Sequence, residues 1–90
     1  LGLDFTGGVS AELNYAQPAN QTDVVKALDQ AGFHDAVVQT LGSNKDLIVR
    51  MPVQDIEVED LTNAITKAAQ LPNNPAEVHK VDSVGGQVGN

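Results

Sequence analysis

The sequence predicts an α+β domain in which a four-stranded antiparallel sheet carries two helices on one face. Four short segments have the composition or alternation of strands, and hydrophobic residues recur at helical spacing in two others. Their order along the chain is strand, helix, strand, strand, helix, strand. With 90 residues, 41% of them hydrophobic, the chain has the size of one domain with a single two-layer core.

The first strand shows the clearest alternation in the chain. Its hydrophobic positions are Val9, Ala11, Leu13 and Tyr15, and its polar positions are Ser10, Glu12 and Asn14. A period of two residues predicts a strand with one buried face. Pro18 follows, and because proline has no N–H to donate, the strand is expected to end before it.

The first helix is predicted between a polar cap and a glycine. Asn20 or Thr22 is expected to cap its N-terminus, with Asp23 in the first turn, where negative charge is favoured. Gly32 is expected to end it. The hydrophobic residues that share the inner face are Val24, Leu28 and Ala31.

The next two segments predict an antiparallel hairpin. Residues 36–41 and 46–51 are rich in strand-forming residues, and a glycine- and asparagine-containing turn at residues 42–45 joins them. The residues expected to face the core are Leu47, Val49 and Met51, which leaves Ile48 and Arg50 on the opposite side.

The second half repeats the helix–strand pattern. Residues 53–57 receive no assignment. The helix that follows places Val58, Leu61, Ile65 and Ala68 on one face, with Glu59 and Asp60 near its start and Lys67 near its end. Residues 71–75, with two prolines, end it. Residues 76–84 predict a last strand, whose imperfect alternation suggests a β-bulge. Right-handed crossovers then favour the ferredoxin-like βαββαβ arrangement.

Composition excludes several classes of function. The net charge of −7 argues against binding to nucleic acid or to an anionic membrane surface by electrostatics. The chain has no cysteine, so disulfides and thiolate metal sites are excluded. It contains neither a signal peptide nor an apolar run long enough to span a bilayer. The first residue is not Met, and we expect the sequence to be part of a longer protein.

The titratable residues predict no catalytic or metal site. His34 and His79 are far apart in sequence and lack a carboxylate at metal-ligand spacing, so exposed or partly packed imidazoles are expected. Asp4 and Asp82 could approach one another, but two solvated acids are the simpler interpretation. Arg50 could recognise an acidic group, although pairing with a neighbouring acid on the solvent face is the commoner role.

Other uses of this fold are not supported by the residues. Gly7 and Gly8 lack the preceding strand and the lysine of a phosphate-binding loop, so a conformational role is expected. An RNA-recognition module needs aromatic residues on the central strands, and residues 37–41 and 47–51 contain none. An acylphosphatase-like enzyme would need an arginine near the first strand, and none precedes Arg50.

The segment Gly2-Leu3-Asp4-Phe5-Thr6-Gly7-Gly8 resembles the N-terminal signature of the SecF family of bacterial protein-export membrane subunits. Residues 39–43 and 48–52 are similar to the family's hairpin region and third strand. The segment Val81-Asp82-Ser83-Val84-Gly85-Gly86-Gln87-Val88-Gly89 resembles its Val-Gly-Pro-x-Val-Gly motif. Gly86 stands where the family usually has proline, and because glycine lacks the ring that fixes φ, a more flexible segment is expected there.

The resemblance implies that residues 1–90 form one head domain on the extracytoplasmic side of the plasma membrane. Residues 1–8 and 84–90 would be its membrane-proximal segments. The implied partners are SecD, the SecYEG channel and the translocating preprotein. No catalytic residue, cofactor or metal is implied, because the proton-carrying residues of that family lie in transmembrane helices. The residues implied in coupling are Asp4, Phe5, Thr6, Gly7, Gly8, Val84, Gly85, Val88 and Gly89.

Two other interpretations remain open at this stage. A ferredoxin-like module of this size could bind a small regulatory molecule as part of a cytosolic protein. A small enzyme is the weakest alternative, since no residue constellation supports it. Binding of metabolites would favour the first of these, whereas apolar spans on both flanks would favour a membrane-tethered head.

Overall fold

The computed structural model describes residues 8–52 and 57–84. Its elements are β1 (Gly8–Tyr15), α1 (Gln21–Gln30), β2 (Val37–Thr40), β3 (Asp46–Pro52), α2 (Val58–Ala68) and β4 (Ala76–Val84). The strands form one sheet in the order β2-β3-β1-β4, and each neighbouring pair is antiparallel. The predicted α+β, ferredoxin-like fold is confirmed.

Strand β1 is central, because it pairs with β3 on one side and with β4 on the other. Its hydrophobic residues are buried and contribute to the same core as the inner faces of both helices. The polar residues Ser10, Glu12 and Asn14 are half-buried on the opposite face, which we term the open face of the sheet. The alternation of this strand is therefore confirmed in full.

Helix α1 begins after Asn20, one of the two predicted N-cap residues. The Asn20 side-chain oxygen accepts a hydrogen bond of 2.9 Å from the Thr22 backbone N–H, which identifies Asn20 as the N-cap. Gly32 has a φ of +101°, the left-handed conformation that favours glycine after a helix. The prediction for Ala31 is wrong: the helix ends at Gln30, and Ala31 is an exposed C-cap.

Helix α2 presents a stripe of residues spaced by four. Leu61, Ile65 and Ala69 are buried, whereas Ala68 is only half-buried. Positions i, i+4 and i+8 lie close to one line on a helix, so the residue just beyond the last turn completes the inner face. The predicted acids in the first turn and Lys67 in the last turn are confirmed.

Strand β4 contains the expected bulge. Glu12 lies opposite Lys80 whereas Leu13 lies opposite Val78, so His79 is the extra residue. Because Val78 and Val81 are three positions apart, a regular strand would send them to opposite faces. The bulge allows both to pack against the core.

The hairpin is antiparallel, as predicted, and its predicted core residues face the core. Leu47, Val49 and Met51 are buried in the core, and Gly42 in the turn has a φ of +126°. Ile48 lies on the open face between Glu12 and Gln39, as expected, but it is only 8% exposed. Its position on an inner strand, with neighbours on both sides, accounts for this burial.

Candidate functional site

The sheet brings the first and last described residues together. Gly8 at the start of β1 is the register partner of Val84 at the end of β4, and on its other side it lies opposite Pro52. We term this the terminal end of the sheet. The remaining coupling residues predicted from the sequence lie outside the described residues: Asp4, Phe5, Thr6, Gly7, Gly85, Val88 and Gly89. Their roles stay predictions.

Asp82 lies near the terminal end, where the sequence suggested that it could approach Asp4. It is the register partner of Ser10, and its carboxylate lies 3.9 Å from the Lys80 ammonium nitrogen. Both side chains are more than half exposed, so this is a solvated ion pair of small energetic value. Asp4 lies outside the described residues, and the approach of the two acids stays untested.

Arg50 lies on the open face and is exposed. Its Nη1 donates a hydrogen bond of 3.2 Å to the Gln39 side-chain oxygen on the neighbouring strand. Among residues 8–52 and 57–84, no acidic side chain forms an ion pair with Arg50, so the expected pairing with an acid is not found in that part of the chain.

The two histidines lie in different elements. His34 follows α1 and is exposed, and its Nδ1 shares a hydrogen bond with an Asp29 carboxylate oxygen. That hydrogen bond, and then the negative charge of Asp29, raise the pKa of His34. His79 is the exposed bulge residue of β4. Within residues 8–52 and 57–84, no three histidine or acidic side chains form a group that could hold a metal ion.

The opposite end of the sheet, which we term the loop end, comprises residues 16–20, 41–45 and 69–75. The Tyr15 hydroxyl donates a hydrogen bond of 2.7 Å to the Ala69 carbonyl, which ties β1 to the end of α2. Tyr15 is buried, and burial raises its pKa to about 12. This phenol is therefore a neutral structural donor rather than an acid or base for chemistry near neutral pH.

Two side-chain amides stabilise the loop end, because each of them donates to a backbone carbonyl and accepts from a backbone N–H. The Asn74 oxygen accepts 2.7 Å from the Gln17 N–H, and its nitrogen donates 2.9 Å to the Gln17 carbonyl and 3.3 Å to the Pro18 carbonyl. The Gln70 amide likewise donates to and accepts from the backbone of Ala76, at 3.0 and 3.1 Å. Sequence analysis missed both residues. The available signal was a polar residue between two prolines, at Asn74.

An open cleft of about 720 Å³ lies between α1 and the loop that precedes β4. Asp23, Lys26 and Gln30 line it from α1, and residues 70–74 line it from the facing loop. Residues 17–20 complete it. Two smaller hollows, of about 280 and 90 Å³, lie elsewhere in the described part of the chain.

The helices of the described part have 10 and 11 residues, and neither is long and apolar enough to cross a membrane. The chain matches no protein-family model. It is, however, similar along its length to curated proteins named protein translocase subunit SecF. Identity is 46% to that of Pseudomonas aeruginosa over 99% of this chain, 40% to that of Vibrio alginolyticus over 98%, and 38% to that of Escherichia coli O157:H7 over 98%.

The chain spans 28–29% of the length of these relatives. The resemblance to SecF noted in the sequence is confirmed over that segment. The relatives carry the name of a translocase subunit rather than of an enzyme. They give no support to the alternative of a regulatory module from a cytosolic protein.

Proposed function

We propose, with the similarity to SecF as the premise, that this chain is the head domain of a SecF-type translocase subunit. In this proposal the domain stands on the extracytoplasmic side of the plasma membrane and assists the export of polypeptides. It does so by transmitting movement and by contacting partners, and not by catalysing a reaction. The observation that carries the proposal is the pairing of Gly8 with Val84.

That pairing suits a domain supported from one side. Strand β1 begins at Gly8, strand β4 ends at Val84, and the two strands are neighbours in the sheet. The chain therefore enters and leaves the described sheet at its terminal end. Both helices and all four strands share one core. Movement applied at the terminal end would therefore displace the domain as a rigid body rather than deform it.

The finer assignments follow from the same proposal. Residues 1–90 act as one domain, with residues 1–8 and 84–90 as membrane-proximal segments that couple it to the rest of the subunit. SecD, the SecYEG channel and the translocating preprotein are the proposed partners. The driving force is the proton-motive force, which acts on residues outside this chain.

The test is to restrict the segment that precedes β1. Gly7→Pro fixes the backbone φ angle at that position, whereas Gly7→Ala restricts it less. Introduced into the full-length subunit, Gly7→Pro is expected to slow preprotein translocation into membrane vesicles severalfold, and Gly7→Ala to have a small effect. The 90-residue chain carrying Gly7→Pro should retain its circular dichroism spectrum. Normal translocation with the proline variant would refute the proposal.

A further inference from the structure

We infer that the cleft at the loop end is a binding site for an extended, uncharged stretch of polypeptide. The inference deepens the proposed function, on which it rests for its biological setting. The cleft lies at the far end of β1 from the terminal end, seven residue steps or roughly 23 Å away. A chain held there would meet the end of the sheet opposite the paired ends of β1 and β4.

The cleft walls are held in place before any ligand arrives. Asn74 and Gln70 use their amides on the backbone of residues 17, 18 and 76, and Tyr15 binds the Ala69 carbonyl. The N-cap bond of Asn20 fixes the start of α1. Since these bonds are made within the domain, ligand binding would not have to order the segments that they join.

Several residues that line the cleft have side chains with unused hydrogen-bonding capacity. Within the described part of the chain, no hydrogen-bond or ion-pair partner is found for the side chains of Gln17, Asp23, Lys26, Gln30 and Asn73. Three of these are amides, each of which both donates and accepts. A polypeptide backbone offers one donor and one acceptor at each residue, so it complements such a lining without requiring a particular sequence.

The charge and shape of the cleft restrict the class of ligand that it can bind. The lining holds one acid, Asp23, and one base, Lys26, so it is neutral although the chain carries a net charge of −7. Pro18, Leu71 and Pro72 add apolar surface for small side chains. The cleft is open to solvent, whereas a small-molecule site buries about 70–90% of its ligand. An open trough instead suits a chain that enters and leaves it.

The experiment follows backbone amide resonances of the ¹⁵N-labelled 90-residue chain during titration. The probe is a dodecapeptide of repeating Ala-Gln-Val-Ser with both ends blocked, and sucrose is the neutral small-molecule comparison. We expect the peptide to shift amides of residues 17–30 and 70–74, with a dissociation constant in the high micromolar to millimolar range, and sucrose to shift none. No peptide shifts, shifts on β2 or the open face instead, or saturation by sucrose would each overturn the inference.

Two matched variants test whether the peptide binds in the cleft. Gln30→Trp fills the cleft from an exposed position of α1, whereas Asn63→Trp places the same side chain at an exposed position of α2 outside the cleft lining. We expect Gln30→Trp to weaken peptide binding about tenfold or more and Asn63→Trp to leave it unchanged. Equal affinity in both variants would overturn the inference.

The outcomes also separate this inference from the proposed function. If Gly7→Pro slows translocation but the dodecapeptide does not bind the cleft, the site is wrong and the coupling role stands. If the peptide binds in the cleft but Gly7→Pro translocates normally, the site stands and the coupling role is wrong.

Discussion

Gly8 and Val84, separated by most of the chain, are direct register partners across the pairing of β1 with β4. The same ladder continues with Ser10 opposite Asp82 and, beyond one bulge, ends with Tyr15 opposite Ala76. This single pairing places the two outermost described residues at one end of the sheet. It also sends the loops that form the cleft to the other end.

The register of this ladder predicts a selective disulfide. The chain has no cysteine, so Ser10→Cys with Asp82→Cys introduces one defined pair. Directly opposed antiparallel residues have Cα atoms about 4.5–5.5 Å apart, within the range of about 4.4–6.8 Å that a disulfide requires. We expect this pair to oxidise rapidly in the folded protein, as measured by loss of free thiol.

The control for register is Ser10→Cys with Lys80→Cys. Lys80 is two positions along β4 and is opposite Glu12, so its side chain lies on the same face but diagonal to Ser10. This pair should oxidise much more slowly. Equal rates for the two pairs would contradict the register.

Tyr15 predicts a loss of stability at alkaline pH. Its pKa is raised from 10.0 to about 12 by burial, so the folded state favours the neutral phenol. The resulting stabilisation is fully present below pH 10 and is lost as the pH rises through about 12. Because the chain has one tyrosine, the tyrosinate absorbance reports this group alone.

Tyr15→Phe is the matched variant. It keeps the ring in the core but removes the hydrogen bond to Ala69, and it should cost about 1–3 kcal/mol near neutral pH because a carbonyl loses its donor. When the free energy of unfolding is measured with urea between pH 9 and 12, the variant should lack the part of the pH dependence that Tyr15 causes. An unchanged alkaline profile in the variant would exclude this assignment.

Asn74 predicts a large effect of one buried amide. Its side chain makes three hydrogen bonds to the backbone of Gln17 and Pro18. Asn74→Ala removes all three and should lower the free energy of unfolding by about 1–3 kcal/mol. Asn63→Ala, at an exposed helix position, should change it by less than about 0.5 kcal/mol. Urea unfolding of both variants measures the difference, and similar values would show that Asn74 is not a structural residue.

His34 predicts a second pH dependence, in which folding favours the charged form of the side chain rather than the neutral form. Its hydrogen bond to Asp29, and then the Asp29 charge, raise its pKa, so the protonated imidazole is favoured in the folded state. The associated stability is present below the ordinary pKa of 6.5 and is lost as the pH rises through the folded value. Asp29→Asn should move the His34 titration to lower pH when it is followed by NMR. A titration midpoint that does not move would show that Asp29 is not the cause.

Much of the fold could be predicted because its patterns are local. The alternation from Val9 to Tyr15, the Asn20 cap and the Gly32 stop each depend on neighbours a few residues away, and each is confirmed. The error at Ala31 lies where an element ends: this residue proved exposed because α1 stops one residue earlier. Ile48 lies on the predicted face, and its burial follows from the strands that flank it on both sides.

The site was predicted less completely for a related reason. Gly8 and Val84 were identified by the motifs they belong to, but only the sheet order shows that they are adjacent. Gln70 carries no pattern that distinguishes it from a surface amide, and the two prolines near Asn74 do not indicate its partners. Nothing in the sequence around Gln17 and Ala76, the backbone partners of these two amides, indicates the contacts.

The sequence by itself determined the element types and order, the inner face of β1 and the resemblance to SecF. These follow from periodicity, caps and motifs, which depend on residues close to one another in the chain. Only the tertiary structure decided that Gly8 meets Val84, that His79 is the bulge residue, and that Asn74 locks the loops around the cleft. These are long-range pairings, and their energies depend on which groups folding brings together and removes from water.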